Sequence, residues 1–134
     1  MFAGAIDYDR VRIVRGRWWP FQPKGTVMAP TGNIHFHPAD PRWSQDFAKE
    51  PLALQGLLIH ELTHVWQAQH QGRFYLPLMR HPFCRYSYQL QADRRFDWYG
   101  LEQQAEIVRH RFLADHGAHV AQIPDSALLP FRAA

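Results

Sequence analysis

A helix-length segment between a proline and a glycine constrains this chain more than any other feature. Its apolar residues recur at spacings of four, four and three, the period of one helical face. These residues are Leu54, Leu58, Leu62 and Val65. Pro51 suits the first turn of a helix, and Gly72 suits its end. The sequence therefore predicts one amphipathic helix over residues 51–71.

A second helix is predicted to begin between Trp98 and Leu101 and to run to His116, where Gly117 provides a stop signal. Its apolar residues also follow the helical period. They are Leu101, Ala105, Val108 and Phe112. The second predicted helix thus spans about 100–116.

Several short segments have the alternation or the flanking turn residues that are typical of strands. They are residues 7–19, 26–29, 33–37 and, with a more mixed pattern, 86–90. Residues 120–134 contain two prolines and are predicted to form an extended coil. Together with the helices, these segments predict an α+β fold with a small twisted sheet built from the first third of the chain.

The length and composition predict a single domain over residues 1–134. The chain is 46% apolar and 20% charged, which excludes disorder by composition. Cys84 is the only cysteine, so an internal disulfide is excluded. No stretch resembles a signal peptide or approaches the ~20 apolar residues of a transmembrane helix. We therefore expect a cytoplasmic protein, with export by a route that needs no signal peptide left open.

A basic stripe lies in the first predicted strand, where arginines alternate with apolar residues. Its members are Arg10, Arg12, Arg15 and Arg17. Such a stripe can bind phosphates, or it can guard an exposed strand edge against association. We interpret it as a guarded edge, because no nucleic-acid motif accompanies it and a net charge of +3 is small. Neither a nucleic acid nor a membrane is expected as a partner.

The chemistry-bearing motif is His60-Glu61-Leu62-Thr63-His64, in the middle of the first predicted helix. Residues four apart share a helical face, so both imidazoles can reach one metal ion. Glu61 is rotated by about 100° from His60, where it can accept a proton from the attacking water without binding the metal. This is the arrangement found in zinc peptidases.

One candidate for the third metal ligand is His70. The run from His60 to His70 has the metzincin spacing, except that Gln67 occupies the position of the helix-breaking glycine in that family. If the helix continues through Gln67, His70 points away from the site. Met79 can be compared with the metzincin Met-turn, although its neighbours lack the usual pattern.

The other candidate is Glu102, on the second predicted helix. Glu102 and Glu106 are four residues apart and flank the apolar stripe, so both are expected to be half-buried. A buried carboxylate needs a cation or hydrogen-bond donors. A metal would satisfy Glu102, and the N–H of a ligand histidine would satisfy Glu106. In the alternative interpretation, the two glutamates pair on the surface with Arg109 and Arg111.

The second arrangement resembles the gluzincin scheme, in which a glutamate on a second helix is the third zinc ligand. Thermolysin-type gluzincins have Asn before that glutamate and Asp four residues after it, where this chain has Leu101 and Glu106. The segments Gly32–Phe36, His60–Gln67 and Glu102–Val108 also resemble a bacterial family of small peptidase-like domains labelled Vgr-related, after the spike protein of type VI secretion. That resemblance covers roughly residues 25–115. It implies a minimal zincin-like fold and a secretion-system spike protein as a partner.

We therefore expect a zinc-dependent peptide-bond hydrolase that acts on a peptide or protein substrate. His60, His64 and Glu102 would bind Zn²⁺, and Glu61 would act as the general base. An oxyanion donor is also needed, and the sequence offers five candidates. They are Tyr86, Tyr88, Tyr99, His110 and His116. The alternative function is a non-catalytic zinc-bound adaptor, because a chain of this length has little room for a second lobe.

Overall fold

The computed structural model describes residues 1–72, 76 and 85–131, in which two helices and a two-stranded sheet are the main elements. The strands are β1 (Ile13–Arg15) and β2 (Ile34–Phe36), and the helices are α1 (Leu52–Gln71) and α2 (Leu101–Asp115). Single 3-10 turns lie at Tyr8–Arg10, Phe47–Lys49, Phe96–Trp98 and Ser126–Leu128. The predicted α+β class is confirmed at this level. The predictions for Met79 and Cys84 lie outside the described residues.

Both ends of α1 agree with the sequence prediction. The Pro51 carbonyl accepts the N–H groups of Leu54 and Gln55, which starts the helix. Gly72 has a φ of 98° and donates its N–H to the Ala68 carbonyl at 2.9 Å. A residue with a side chain rarely adopts this positive φ, so glycine ends the helix at low conformational cost.

The buried face of α1 is not the predicted leucine stripe. Leu54, Leu58 and Leu62 are only partly buried, and Val65 alone of that set is fully buried. The buried positions of α1 are instead mostly small or polar. They are Gly56, His60, Glu61, Thr63, His64, Val65, Gln67 and Ala68. The reason is that α2 packs against the face of α1 that carries the histidines.

Gly56 permits close approach of the two helices. A Cβ atom placed on Gly56 would lie 2.9 Å from Leu113 Cδ2 and 3.3 Å from Leu113 Cγ on α2. Glycine within a helix destabilises it by about 1 kcal/mol relative to alanine. At this position, the missing side chain makes room for α2.

The sheet is smaller than predicted. β1 pairs in parallel with β2, with Val14 opposite His35, and the segment at 26–29 contributes only an antiparallel bridge between Met28 and His35. Residues 86–90 have no regular structure. The predicted strands at 7–19 and 86–90 were therefore wrong in extent or kind, because strand formation depends on partners that local alternation does not reveal.

The core joins β2 to both helices. Ile34 and Phe36 on β2 are fully buried, together with Val65 on α1 and Ile107 and Val108 on α2. This places β2 behind the histidine-bearing helix. Within the described residues, neither helix is long and apolar enough to cross a membrane.

Candidate metal centre

Helix α1 buries the three ionisable residues of the motif. His60, Glu61 and His64 are all less than a tenth exposed. The rings of His60 and His64 have centroids 4.9 Å apart and meet edge to face. The i, i+4 spacing therefore brings both Nε2 atoms to the same side of the helix, as the sequence predicts.

Helix α2 supplies a carboxylate to the same point. Glu102 lies in the first turn of α2 and is 1% exposed. Its Oε2 is 3.2 Å from His60 Nε2 and 3.1 Å from His64 Nε2. One ligand-type atom from each of the three residues lies within 4.8 Å of the others. Two helices thus bring the predicted histidine and glutamate ligands into one buried cluster.

The outer nitrogens of both imidazoles have acceptors. His60 Nδ1 donates to Glu106 Oε1 at 2.7 Å, and His64 Nδ1 donates to Gln67 Oε1 at 2.8 Å. When Nδ1 carries the proton of a neutral imidazole, Nε2 presents its lone pair. Both lone pairs then point at the Glu102 carboxylate. A cation between these groups removes the repulsion, so the donor set fits a metal ion.

Gln67 is a functional residue that the sequence prediction missed. The sequence shows it only at the position of a metzincin glycine, whereas in the structure its amide orients His64. The Gln67 Nε2 group also donates to the Leu101 carbonyl at 3.1 Å and to Gln104 Oε1 at 3.0 Å. Because Gln67 follows His64 by three residues, the same-face spacing was a signal for this contact.

Glu106 is shared among several basic groups. Besides His60, it accepts a hydrogen bond from Arg109 Nη1 at 3.3 Å and lies 3.4 Å from His110 Nε2. Arg111 pairs instead with Asp115. The surface-pairing interpretation is therefore right only for Glu106 with Arg109, since Glu102 lies in the cluster and not on the surface.

The protonation of His60 reflects these contacts. Burial by itself lowers the pKa of His60, but the hydrogen bonds to Glu102 and Glu106 outweigh it and raise that pKa to about 9. Burial raises the pKa of the Glu106 carboxyl, yet the bond to His60 and the nearby cations give it a net pKa below its ordinary value. The cluster thus holds a proton on His60 when no metal is bound.

A cleft of about 260 Å³ opens onto the cluster. His60 and Glu61 form part of its lining, with Tyr86 and Arg42 among the other walls. Asp40 fixes the Arg42 guanidinium through two hydrogen bonds, at 3.0 Å from Nε and 2.8 Å from Nη2. The Glu61 charge contributes to the raised pKa values of both His60 and Arg42, although hydrogen bonds act more strongly on each. Because Glu61 lines the cleft, it lies at the open side of the cluster.

Of the five candidate oxyanion donors, only Tyr86 lines this cleft. Its ring stacks on His60, with centroids 6.0 Å apart and planes 15° apart. Tyr88 is hydrogen-bonded to His110 Nδ1 at 2.5 Å, and both line a separate cavity of about 420 Å³ that Tyr86 also borders. Tyr99 is buried beside the Gln89 carbonyl. His116 is exposed and bonds to the Phe112 carbonyl.

The alternative ligand His70 does not join the cluster. Helix α1 continues through Gln67 to Gln71, so His70 points outward, is exposed, and donates from Nδ1 to the Trp66 carbonyl at 3.0 Å. The cleft is also not the largest one: a cavity of about 840 Å³ beside Trp66 and Phe96 is lined by none of the three candidate ligands. We assign the candidate centre to the smaller cleft, because His60 and Glu61 line it in the described part of the chain.

The comparisons with known proteins agree on one relationship. No model of a known protein family matches this chain. The chain is 40% identical over 120 residues to the type VI secretion system spike protein VgrG2b of Pseudomonas aeruginosa. This alignment covers 84% of the chain but only 12% of the spike protein, so the chain spans about an eighth of that protein's length.

A solved structure gives the same result for the fold. The effector domain of Pseudomonas aeruginosa VgrG2b matches with a TM-score of 0.74 and 38% identity, over 87% of this chain and 68% of that one. The Vgr-related resemblance is thereby confirmed. Sequence and fold together show that this chain belongs to the family of the VgrG2b effector domain of type VI secretion.

Proposed function

We propose that this domain is a zinc-dependent peptide-bond hydrolase associated with a type VI secretion spike protein. The observation that supports it best is the convergence of His60, His64 and Glu102 beneath a cleft that Glu61 also lines. Three protein ligands with an open side are the usual donor set of a catalytic zinc site, whereas structural zinc sites are closed by four. The relationship to a spike protein supports the proposed partner.

In this proposal, His60 Nε2, His64 Nε2 and Glu102 Oε2 hold the ion. When bound, zinc polarises the scissile carbonyl and increases the acidity of water in the site. The chain's own residues provide orientation and proton transfer. Glu106 and Gln67 hold the two imidazoles with Nδ1 protonated and Nε2 facing inward.

Glu61 moves the proton. Its carboxylate takes a proton from the attacking water as the oxygen adds to the carbonyl carbon, and returns it to the leaving amine as the C–N bond breaks. Tyr86 lines the same cleft, from which its hydroxyl can donate to the developing oxyanion.

The test compares the wild-type protein with Glu61→Gln, both loaded with zinc, on denatured proteins and a peptide library. Loss of the general base should lower the cleavage rate by about 10²–10⁴-fold, while zinc content and melting temperature stay unchanged. Glu50→Gln is the matched control, because Glu50 contacts Ser44 and lies outside the cleft. Its activity should equal that of the wild type.

The result that overturns the proposal is equal background from wild type and Glu61→Gln, both alone and with the spike protein added. The domain would then be the zinc-bound adaptor considered as the alternative function. The arm with the spike protein is needed because a small domain can require a partner to complete its cleft.

A further inference from the structure

Residues 10–39 form a stretch with no acidic side chain. This stretch contains five cations, whereas the rest of the chain has ten basic and twelve acidic residues. The five are all exposed: Arg10, Arg12, Arg15, Arg17 and Lys24. The chain's net positive charge therefore comes from this stretch, which includes β1, β2 and the loop between them.

Exposed aromatic side chains lie within the same stretch. We call residues 18–22 the aromatic loop. Trp18 is 39% exposed, Trp19 is 46% exposed and Phe21 is 76% exposed. The rings of Trp19 and Phe21 pack edge to face at 5.3 Å. Three neighbouring aromatic residues turned toward solvent are uncommon on a soluble surface and indicate a binding site.

A buried glutamine holds the aromatic loop in place. Gln22 is 3% exposed, and its Oε1 accepts the Trp18 N–H at 2.8 Å. Its Nε2 donates to the carbonyls of Thr26 and His35, both at 2.9 Å. Since these bonds tie the loop to β2, the aromatic side chains are displayed by a fixed backbone.

The cations beside the loop have no acidic partners among the described residues. Arg15 donates to the Pro38 carbonyl at 3.1 Å and lies over the Trp43 ring, and Arg17 contacts His37 Nε2 at 3.1 Å. Neither forms an ion pair with a carboxylate in the described part of the chain, so their charges remain available to an anionic partner.

We propose that the aromatic loop and its flanking cations bind the surface of an anionic lipid membrane. Tryptophan rings favour the boundary between headgroups and acyl chains, and Phe21 supplies an apolar side chain at that depth. Arg15, Arg17 and Lys24 flank the loop and are placed to meet anionic headgroups. This proposal is independent of the hydrolase activity and replaces the sequence-based expectation that no membrane is involved.

A single-stranded nucleic acid is the competing partner, because it also combines negative charge with stacking groups. Such a partner needs open ring faces arranged along a cationic groove. Here Trp19 and Phe21 lie in one hydrogen-bonded turn that Trp18 precedes, and the Trp19 and Phe21 rings pack against each other instead of forming a row. The geometry therefore favours insertion of a loop tip over stacking along a strand.

The experiment measures binding of the zinc-loaded protein to vesicles by flotation. We expect binding to phosphatidylcholine vesicles containing about one-third phosphatidylglycerol, and not to phosphatidylcholine alone. The variant Trp18→Ser/Trp19→Ser/Phe21→Ser should lose at least about tenfold in affinity. The variant Arg17→Gln/Lys24→Gln should lose roughly fivefold per cation.

Matched controls separate the loop from general effects. Trp98→Ser removes an aromatic residue that is 66% exposed elsewhere, and Lys49→Gln/Arg95→Gln removes two exposed cations outside the stretch. Both controls should bind as the wild type does, and all variants should keep its melting temperature and zinc affinity. Absence of binding to anionic vesicles overturns the proposal. Equal binding by loop variants and controls also overturns it, as does loop-dependent binding to an oligothymidylate without binding to vesicles.

Discussion

At the level of single residues, the position of Glu102 distinguishes between the two candidate arrangements of the metal site. Its carboxylate is buried between two imidazoles, whereas His70 is exposed six residues beyond His64 on an unbroken helix. A candidate glutamate ligand on a second helix agrees with the gluzincin scheme. The metzincin spacing therefore does not bring His70 to the cluster.

This contrast predicts that two alanine substitutions differ in their effect on zinc affinity. Glu102→Ala removes a proposed ligand and should weaken zinc binding by at least about 10–100-fold. His70→Ala removes only a contact to the helix backbone and should change zinc affinity little. Competition with a chelator measures both affinities. A larger loss for His70→Ala than for Glu102→Ala would contradict the assignment.

Zinc binding should also release a proton near neutral pH. In the metal-free protein, the raised pKa of His60, about 9, keeps its imidazole charged at pH 7, and a ligand histidine must be neutral. Apparent zinc affinity should therefore increase as the pH rises from 7 toward 9. Calorimetry in buffers of different ionisation enthalpy counts the protons. An affinity that is constant over this range would contradict the prediction.

The same protonation affects the stability of the metal-free fold. Because the pKa of His60 is higher in the folded state than its ordinary value of 6.5, the charged form stabilises the fold fully below that pH. This contribution to the free energy of unfolding is lost as the pH rises through about 9.

At the level of elements, the packing of α1 on α2 sets the distances between the ligand atoms. The His60 and His64 imidazoles come from α1 and the Glu102 carboxylate from α2. The close approach at Gly56 and Leu113 belongs to the same helix pair, one turn before His60 on α1. A change in the helix spacing should therefore alter the metal centre.

Gly56→Leu tests this dependence. The new side chain would overlap Leu113 and force the helices apart, with an expected loss of about 1–3 kcal/mol in stability and weaker zinc binding. Ala53→Leu adds similar volume at an exposed position of the same helix and is the control. Thermal melting and chelator competition measure the two effects. A Gly56→Leu protein with wild-type melting and affinity would contradict the prediction.

The helices could be predicted from sequence because their signals are local. Pro51, Gly72 and Gly117 mark helix ends within a few residues of where the structure has them. The sheet could not be predicted in the same way. The arginine alternation at 7–19 suggested a long strand, but β1 needs β2 as a partner and ends where that pairing ends.

The candidate metal centre could also be predicted from the sequence only in part, where its signals are local. The i, i+4 spacing of His60 and His64 is a local signal, and burial of Glu102 follows from its place beside an apolar stripe. Arg42 was not predicted as a wall of the cleft, since only the folded chain brings it beside Glu61.

For the whole molecule, the candidate metal centre links two parts of a small domain that are distant in sequence. Glu102 follows His64 by 38 residues, and both are buried in the same cluster. A metal ion that binds only the folded chain stabilises it by mass action. Zinc should therefore raise the melting temperature as well as support activity.

We expect one zinc ion per chain after reconstitution, measured by elemental analysis of untagged protein. Removal of zinc by a chelator should lower the melting temperature by about 10 °C, given a stabilisation of a few kcal/mol. His64→Ala lacks a proposed ligand and should show little zinc-dependent shift. A zinc ratio near zero, or a melting temperature that zinc does not change, would contradict the metal assignment.

The near-complete burial of Glu102 has a consequence for the rate at which the ion is exchanged. An ion held by buried side chains of two packed helices leaves only when a ligand swings out or the helices separate locally, and both openings are infrequent. Exchange of the proposed ion should then be slow. We therefore expect the proposed ion that is bound at folding to stay in the domain long after the surrounding supply of metal changes.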